Sequence, residues 1–190
     1  MADLLLIFLG ACLVNNLVLD HLVGVCPAVA LSRRLDIALA VAGTATGIAL
    51  VAAPLAHAIH RLLAPGLEHL ELLTLVLAIA AAVPGAGRLL ARLDPQGAAI
   101  HGAFAPLMTA NCMALGVALL AVRADIGFAG AVIFGLGAGA GFVLVTLLLA
   151  GLAQRMADMD VPAPLRGGPV QILALALLSM AFMGFTGFSR

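Results

Sequence analysis

The stretch Arg123–Arg155, RADIGFAGAVIFGLGAGAGFVLVTLLLAGLAQR, carries no charge between Asp125 and its closing arginine. It is longer than the roughly 20 apolar residues that cross the hydrocarbon of a bilayer as a helix. Apolar and polar residues do not alternate along it, as they would in a barrel strand. A spanning segment must also satisfy its own backbone inside the membrane. The reading is therefore a transmembrane helix with arginines at its edges.

Outward from this stretch the pattern repeats. Six apolar runs are expected to span: Leu4–Gly24, Leu35–Ala58, Leu70–Leu90, Ala98–Val122, Ile126–Gly151 and Gly168–Phe188. Hydrophobic residues make up 64% of the chain and charged residues 9%, with a mean hydropathy of +1.22; soluble domains carry about 25% charge. The fold class is all-α, a polytopic membrane protein forming a single integral membrane domain over residues 1–190. The arginines orient it. Arg33, Arg34, Arg88, Arg92, Arg155 and Arg166 fall on one side of the alternating spans, and Arg61, Arg123 and Arg190 on the other. The positive-inside rule places the first group in the cytoplasm and both termini outside it. No arginine or lysine precedes Arg33, and Asp3 stands where a signal peptide would be positive, so the first span is expected to be permanent.

Several functions are excluded or displaced to other chains. The longest connection, Arg155 to Gly168, cannot hold a folded soluble domain. There is no Walker A loop or strand-borne GxGxxG. Net charge is zero without a basic patch, which argues against nucleic acid. The absence of Trp and Tyr leaves no aromatic belt, compatible with a subunit packed inside a complex.

Six spans divide into three and three, and an odd number inverts the second set. Pseudo-repeats at about 1–95 and 96–190 are the inverted topology of many transporters, with sites where the halves meet. The first span holds Asn15, Asn16, Gly24 and Cys26-Pro27, and the fourth holds Pro106, Thr109, Asn111-Cys112 and Gly116. Arg34 and Asp36 follow Cys26, as Arg123 and Asp125 follow Cys112. These residues point to broken helices 1 and 4. A break in hydrocarbon is tolerable only where protein or a cavity satisfies the freed backbone.

Cys26 and Cys112 read either as small apolar filler or as two ligands meeting at the pseudo-symmetry axis. Two thiolates do not complete an iron–sulfur site, so the ligand reading requires a partner to supply two more. Cys12 lacks the flanking pattern and reads as packing. Asp20-His21 reads either as a functional intramembrane pair or as a hydrogen-bonded pair at the rim. His57 and His60, with Glu68, His69 and Glu71 beyond, have zinc-like spacing, against the alternative of an outer polar rim. Gly137-x-x-x-Gly141 reads as a close helix contact. Asp158, Asp160 and Arg166 lie in the longest inward loop, the best docking surface for a soluble partner.

Six blocks, taken together, carry a family resemblance. They are Leu13-Val14-Asn15-Asn16, Gly24-Val25-Cys26-Pro27, Pro106-Leu107-Met108-Thr109-Ala110-Asn111-Cys112, Leu115–Leu119, Asp160–Gly167 and Ser179–Phe185. In this order and spacing the chain resembles the A-subunit family of Rnf electron-transport complexes. The E subunit of the sodium-pumping NADH:quinone reductase is the near neighbour. The resemblance implies six helices in a 3+3 inverted repeat in the bacterial cytoplasmic (inner) membrane, with the N-terminus outside. It implies that Cys26 and Cys112 supply half of a membrane-buried [2Fe–2S] cluster, the other two cysteines coming from a homologous E-type subunit. Because an unbroken helix would put Cys26 near the cytoplasmic end of the first span, that role in turn implies a break or re-entrant turn around Asn15–Gly24 that brings it deeper. It further implies other Rnf subunits bearing flavins and clusters, exchange of electrons between ferredoxin and NAD, and coupling to Na+ or H+ transport. The chain departs from the family at Ala82–Arg92, where a polar Gln and Glu are usual; Cys12 matches no family ligand, and Asp20-His21 lies where members vary. Two other functions fit the residues alone: a small inverted-repeat transporter, tested by uptake into liposomes, and a purely structural membrane subunit with inert cysteines.

Overall fold

The computed structural model describes residues 2–25, 28–29, 35–62, 73–81, 92, 112–124, 126–157, 159–160 and 162–186. Among them every regular element is helical: α1 (Ala2–Leu9), a π-helical turn (Gly10–Val14), α2 (Leu17–Asp20), α3 (Leu35–Leu62), α4 (Cys112–Arg123), α5 (Gly127–Ala157), a 3-10 turn (Ala163–Leu165) and α6 (Gly168–Thr186). Residues 73–81 are also helical. Three helices are long and apolar enough to span a bilayer, at Ile37–Leu62, Gly127–Met156 and Gly168–Phe185; Leu4–Val14 and Cys112–Arg123 are shorter apolar helices. Of the expected third span only 73–81 falls within the described residues, and of the fourth only the part from Cys112 onward. Arg61, Arg123 and Arg155 each lie in the last turn of their helix, where a cation complements the negative end of the dipole.

The scaffold is built on α5, whose glycines do the placing. A Cβ on Gly135 would lie 2.8 Å from the Ala49 carbonyl oxygen and 3.2 Å from the Ala53 Cβ, and one on Gly139 would lie 2.5 Å from Thr46 Cγ2. A Cβ on Gly137 would lie 2.8 Å from the Phe8 carbonyl oxygen, and one on Gly141 would lie 2.9 Å from that of Cys12. Each pair is spaced i, i+4 and forms one stripe. The two stripes are offset by two residues, about 200° around a helix of 3.6 residues per turn, so they face opposite ways. One stripe admits α3 and the other admits α1 with its π turn. The contact order also sets directions. Along α5 the α3 partners fall from Ala49 to Thr46, so these helices are antiparallel; the α1 partners rise from Phe8 to Cys12, so those are parallel. That is the alternation expected of a first, second and fifth span. The Thr46 hydroxyl lies 2.8 Å from its own Ala42 carbonyl and 3.2 Å from the Gly139 carbonyl across the contact.

Phe142, Val145 and Leu149 of α5 fill the core with Leu17, Val18, Met113, Val117 and the alanines of α3. A second cluster joins Val41, Ile48, Ala52 and Ala56 of α3 to Ala114 and Ala118 of α4. The α6 helix is different: only 11% of its apolar window is buried, against half of the windows of α3 and α5. It presents Ile172, Leu173, Leu177, Met180 and Met183 outward. So large a continuous apolar surface belongs against lipid or a neighbouring membrane protein.

Candidate functional site

The expected interruption of the first span is present, and it is specific. The π turn ends at Asn15, whose N–H donates to the Gly10 carbonyl (2.7 Å). Asn16 has extended backbone and serves both sides of the gap. Its Nδ2 donates to the Cys12 carbonyl behind it (2.8 Å), and its Oδ1 accepts the Val18 N–H ahead (3.1 Å). One fully buried amide thus caps two helix ends, as the hydrocarbon environment demands. The four-residue α2 follows and is closed by Leu22 at φ 54, an unusual value for a leucine. The Ser179 hydroxyl of α6 donates to the Leu19 carbonyl (2.8 Å), satisfying another group the break exposes.

The chain then arrives at Gly24, with φ +85. A Cβ here would lie 3.0 Å from the Phe142 ring and 3.3 Å from Met113 Cβ. Asn16 sits against Gly141 and Gly24 against Phe142, adjacent residues of α5. An unbroken helix would have advanced about 12 Å over those eight residues. The break therefore returns the chain to within side-chain reach of the same level. That level is the middle of the α5 span, since Phe142 lies 15 residues after Gly127 (142 − 127) and 14 before Met156 (156 − 142).

At that level the Gly24 N–H donates to Cys112 Sγ, with N···S 3.1 Å. Cys112 opens α4, its thiol is free, and the residue is exposed. The contact joins positions 88 residues apart, one from each half of the chain. A close approach of Gly116 to Val23 and Leu17 holds α4 against the broken segment. The arrangement presents a sulfur with one backbone donor behind it and an open side in front. That suits a metal-bound thiolate, which takes N–H donors and needs access to its metal.

The remaining candidates fall as follows. Cys26 and Pro27 lie outside the described residues, as do Pro106, Thr109, Asn111, Glu68, His69, Glu71, Asp125, Asp158 and most of Ala82–Arg92. Cys12 is free and half-buried, and its backbone packs on Gly141. Asp20 and His21 approach to 3.7 Å, both well exposed, and Asp20 joins Asn16, Leu19 and Ser179 in lining a small open depression. His57 is buried and His60 is exposed. Among the described residues no three His, Cys, Asp or Glu side chains gather as a metal site. Asp160 and Arg166 lie 3.6 Å apart on an exposed loop. The donor role of Gly24 and the cap from Ser179 were not singled out from the sequence.

The family described as "Rnf-Nqr subunit, membrane protein" matches residues 4–189. Proteins named as the A subunit of an ion-translocating oxidoreductase complex are similar over the full length. One from Pseudomonas aeruginosa is 42% identical and one from Pseudoalteromonas atlantica 38%, with all of each chain covered. One from Cereibacter sphaeroides is 37% identical, covering all of this chain and 99% of the relative. A match across the whole chain, on a fold of apolar helices with an interrupted first span, is decisive: the chain belongs to the Rnf–Nqr family of membrane subunits.

Proposed function

We propose that the chain is the electron-relaying membrane subunit of an Rnf-type ion-translocating oxidoreductase in the bacterial inner membrane. In this reading it is one domain of two inverted repeats, about 1–95 and 96–190, with both termini outside the cytoplasm. Cys26 and Cys112 provide two thiolates, and a homologous E-type subunit of opposite orientation provides two more to a shared [2Fe–2S] cluster. Flavin- and cluster-bearing subunits pass electrons to and from it, and the complex couples their flow to Na+ or H+ movement.

The observation that carries the reading is the Gly24–Cys112 contact midway along α5. Hydrocarbon about 30 Å thick is too wide for a single useful tunnelling step, so a relay belongs near its middle. The chain spends a helix break to hold Cys112 at this level beside the segment that leads, two residues later, into Cys26. Such a break is costly in a membrane, and an inert structural subunit has no use for it. When bound, the cluster would supply one-electron carriage. Cys26 and Cys112 would bind its iron through their thiolates, and the Gly24 N–H would donate a hydrogen bond to the Cys112 sulfur.

The test is iron and acid-labile sulfide per chain, with and without the E-type partner. The pair is expected to carry the cluster and the lone chain to lack it. Cys26→Ser and Cys112→Ser in the pair should abolish it, because oxygen replaces a soft thiolate; Cys12→Ser should not. An unchanged cluster spectrum in either of the first two variants would remove the ligand assignment. A stable, loaded homodimer would remove the E-type partner and leave the ligands standing.

A further inference from the structure

We propose that Gly24 is a positioning residue that sets the reduction potential of the cluster through its backbone N–H, an inference that rests on Cys112 being a cluster ligand. Three observations meet at this residue. Its N–H is directed at Cys112 Sγ at 3.1 Å. Its φ of +85 is one that glycine adopts freely and other residues rarely do. Its missing side chain leaves the space that the Phe142 ring and Met113 occupy, at 3.0 and 3.3 Å from where a Cβ would stand.

The sulfur of a neutral thiol is a weak acceptor. A largely buried N–H left to such a partner is poorly compensated. The same N–H against a negatively charged, metal-bound sulfur makes a charge-assisted bond. The side chains that close this break bond to the backbone through oxygen and nitrogen: Asn16 serves Cys12 and Val18, and Ser179 serves Leu19. The Gly24 N–H differs from these in serving sulfur. A hydrogen bond to a cluster sulfur favours the more electron-rich reduced state, so it raises the potential.

The experiment uses the complex assembled with its partner subunits. Pulsed EPR on the reduced cluster, with glycine labelled by 15N, is expected to show a 15N coupling from a backbone amide. Gly24→Ala should lose that coupling and lower the potential measured by EPR-monitored redox poising, with iron and sulfide per complex unchanged. Phe142→Leu combined with Gly24→Ala frees space for the methyl group and should keep the lowered potential if the single variant assembles poorly. Gly43→Ala, whose Cβ would meet nothing within 4 Å, should leave both readouts unchanged. A native cluster without glycine 15N coupling would overturn the role of Gly24 while leaving the cluster in place, as would an unaltered potential in the variant. A native complex with no cluster bound at Cys112 would overturn the ligand reading itself.

Discussion

Replacing Asn16 by alanine removes a side chain that spans the break. The change leaves the Val18 N–H without its cap and takes the amide donor from the Cys12 carbonyl, at bond lengths of 3.1 and 2.8 Å. Loss of an N-cap costs about 1 kcal/mol, and a buried polar group left without its partner costs about 1–3 kcal/mol. Asn16 is only 2% exposed, so water does not replace either bond. The expected destabilisation is about 2–4 kcal/mol. For a chain of this size that corresponds to a fall of roughly 4–16 °C in the midpoint of unfolding. Asn16→Ser keeps a capping oxygen for α2 but is too short to reach back to Cys12, so about half of the loss is expected. Asn15→Ala is the control: its side chain is exposed, and surface changes of this kind stay within about 0.5 kcal/mol. The assay is thermal unfolding of the protein purified in detergent. If Asn16→Ala and Asn15→Ala melt together, the capped-break argument fails.

Further expectations follow from the helix contacts and the arginines. Gly139→Ala should destabilise by about 1–3 kcal/mol through overpacking against Thr46, read in the same melt, whereas Gly43→Ala should be neutral or slightly stabilising. Ser179→Ala should cost about 0.5–1.5 kcal/mol by freeing the Leu19 carbonyl, and a double-mutant cycle with Asn16→Ala should be close to additive, since the two side chains cap different groups. An alkaline phosphatase fused after Arg190 should be active and one fused at Asp158 inactive; the opposite pattern would reverse the arginine-based orientation.

Apolar runs and their arginine edges announced α3, α5 and α6, because length and charge are properties of the chain itself. The break at Asn15–Gly24 was legible for the same reason: Asn and Gly in hydrocarbon need a purpose, and a straight helix would have misplaced Cys26. The glycine stripes were only half legible. Gly137 and Gly141 form a familiar close-contact motif, but Gly135 and Gly139 form a second one two residues out of phase, and only rotation around the helix reveals that the two stripes serve different neighbours. The burial of His57 is set by tertiary packing, which residue spacing alone does not show. Gly24 as a donor to Cys112 was beyond reach, since a contact across 88 residues leaves no local trace. Ser179 was hidden likewise: a serine in an apolar helix usually bonds to its own backbone, and here it bonds to a carbonyl 160 residues away.

The two features that set this fold apart from a plain bundle depend on each other. A helix broken in hydrocarbon needs its loose backbone groups satisfied, and the partners must come close enough to reach them. The stripe of Gly137 and Gly141 permits that approach, bringing the π turn and Asn16 onto α5 with no side chain between. A bulky residue at Gly141 would push away the Asn16 amide, the Cys12 carbonyl or both. The register along α5 then decides where the chain comes back. Asn16 lies against Gly141, and the short α2 delivers Gly24 to the neighbouring ring of Phe142. Cys112, at the start of α4, meets it there. The glycine stripe, the capping asparagine and the positive φ of Gly24 thus form one chain of constraints that ends on a single sulfur atom. Relaxing any one of them is expected to move the donor relative to that sulfur, so substitutions at Gly141, Asn16 and Gly24 should all disturb the Gly24–Cys112 contact.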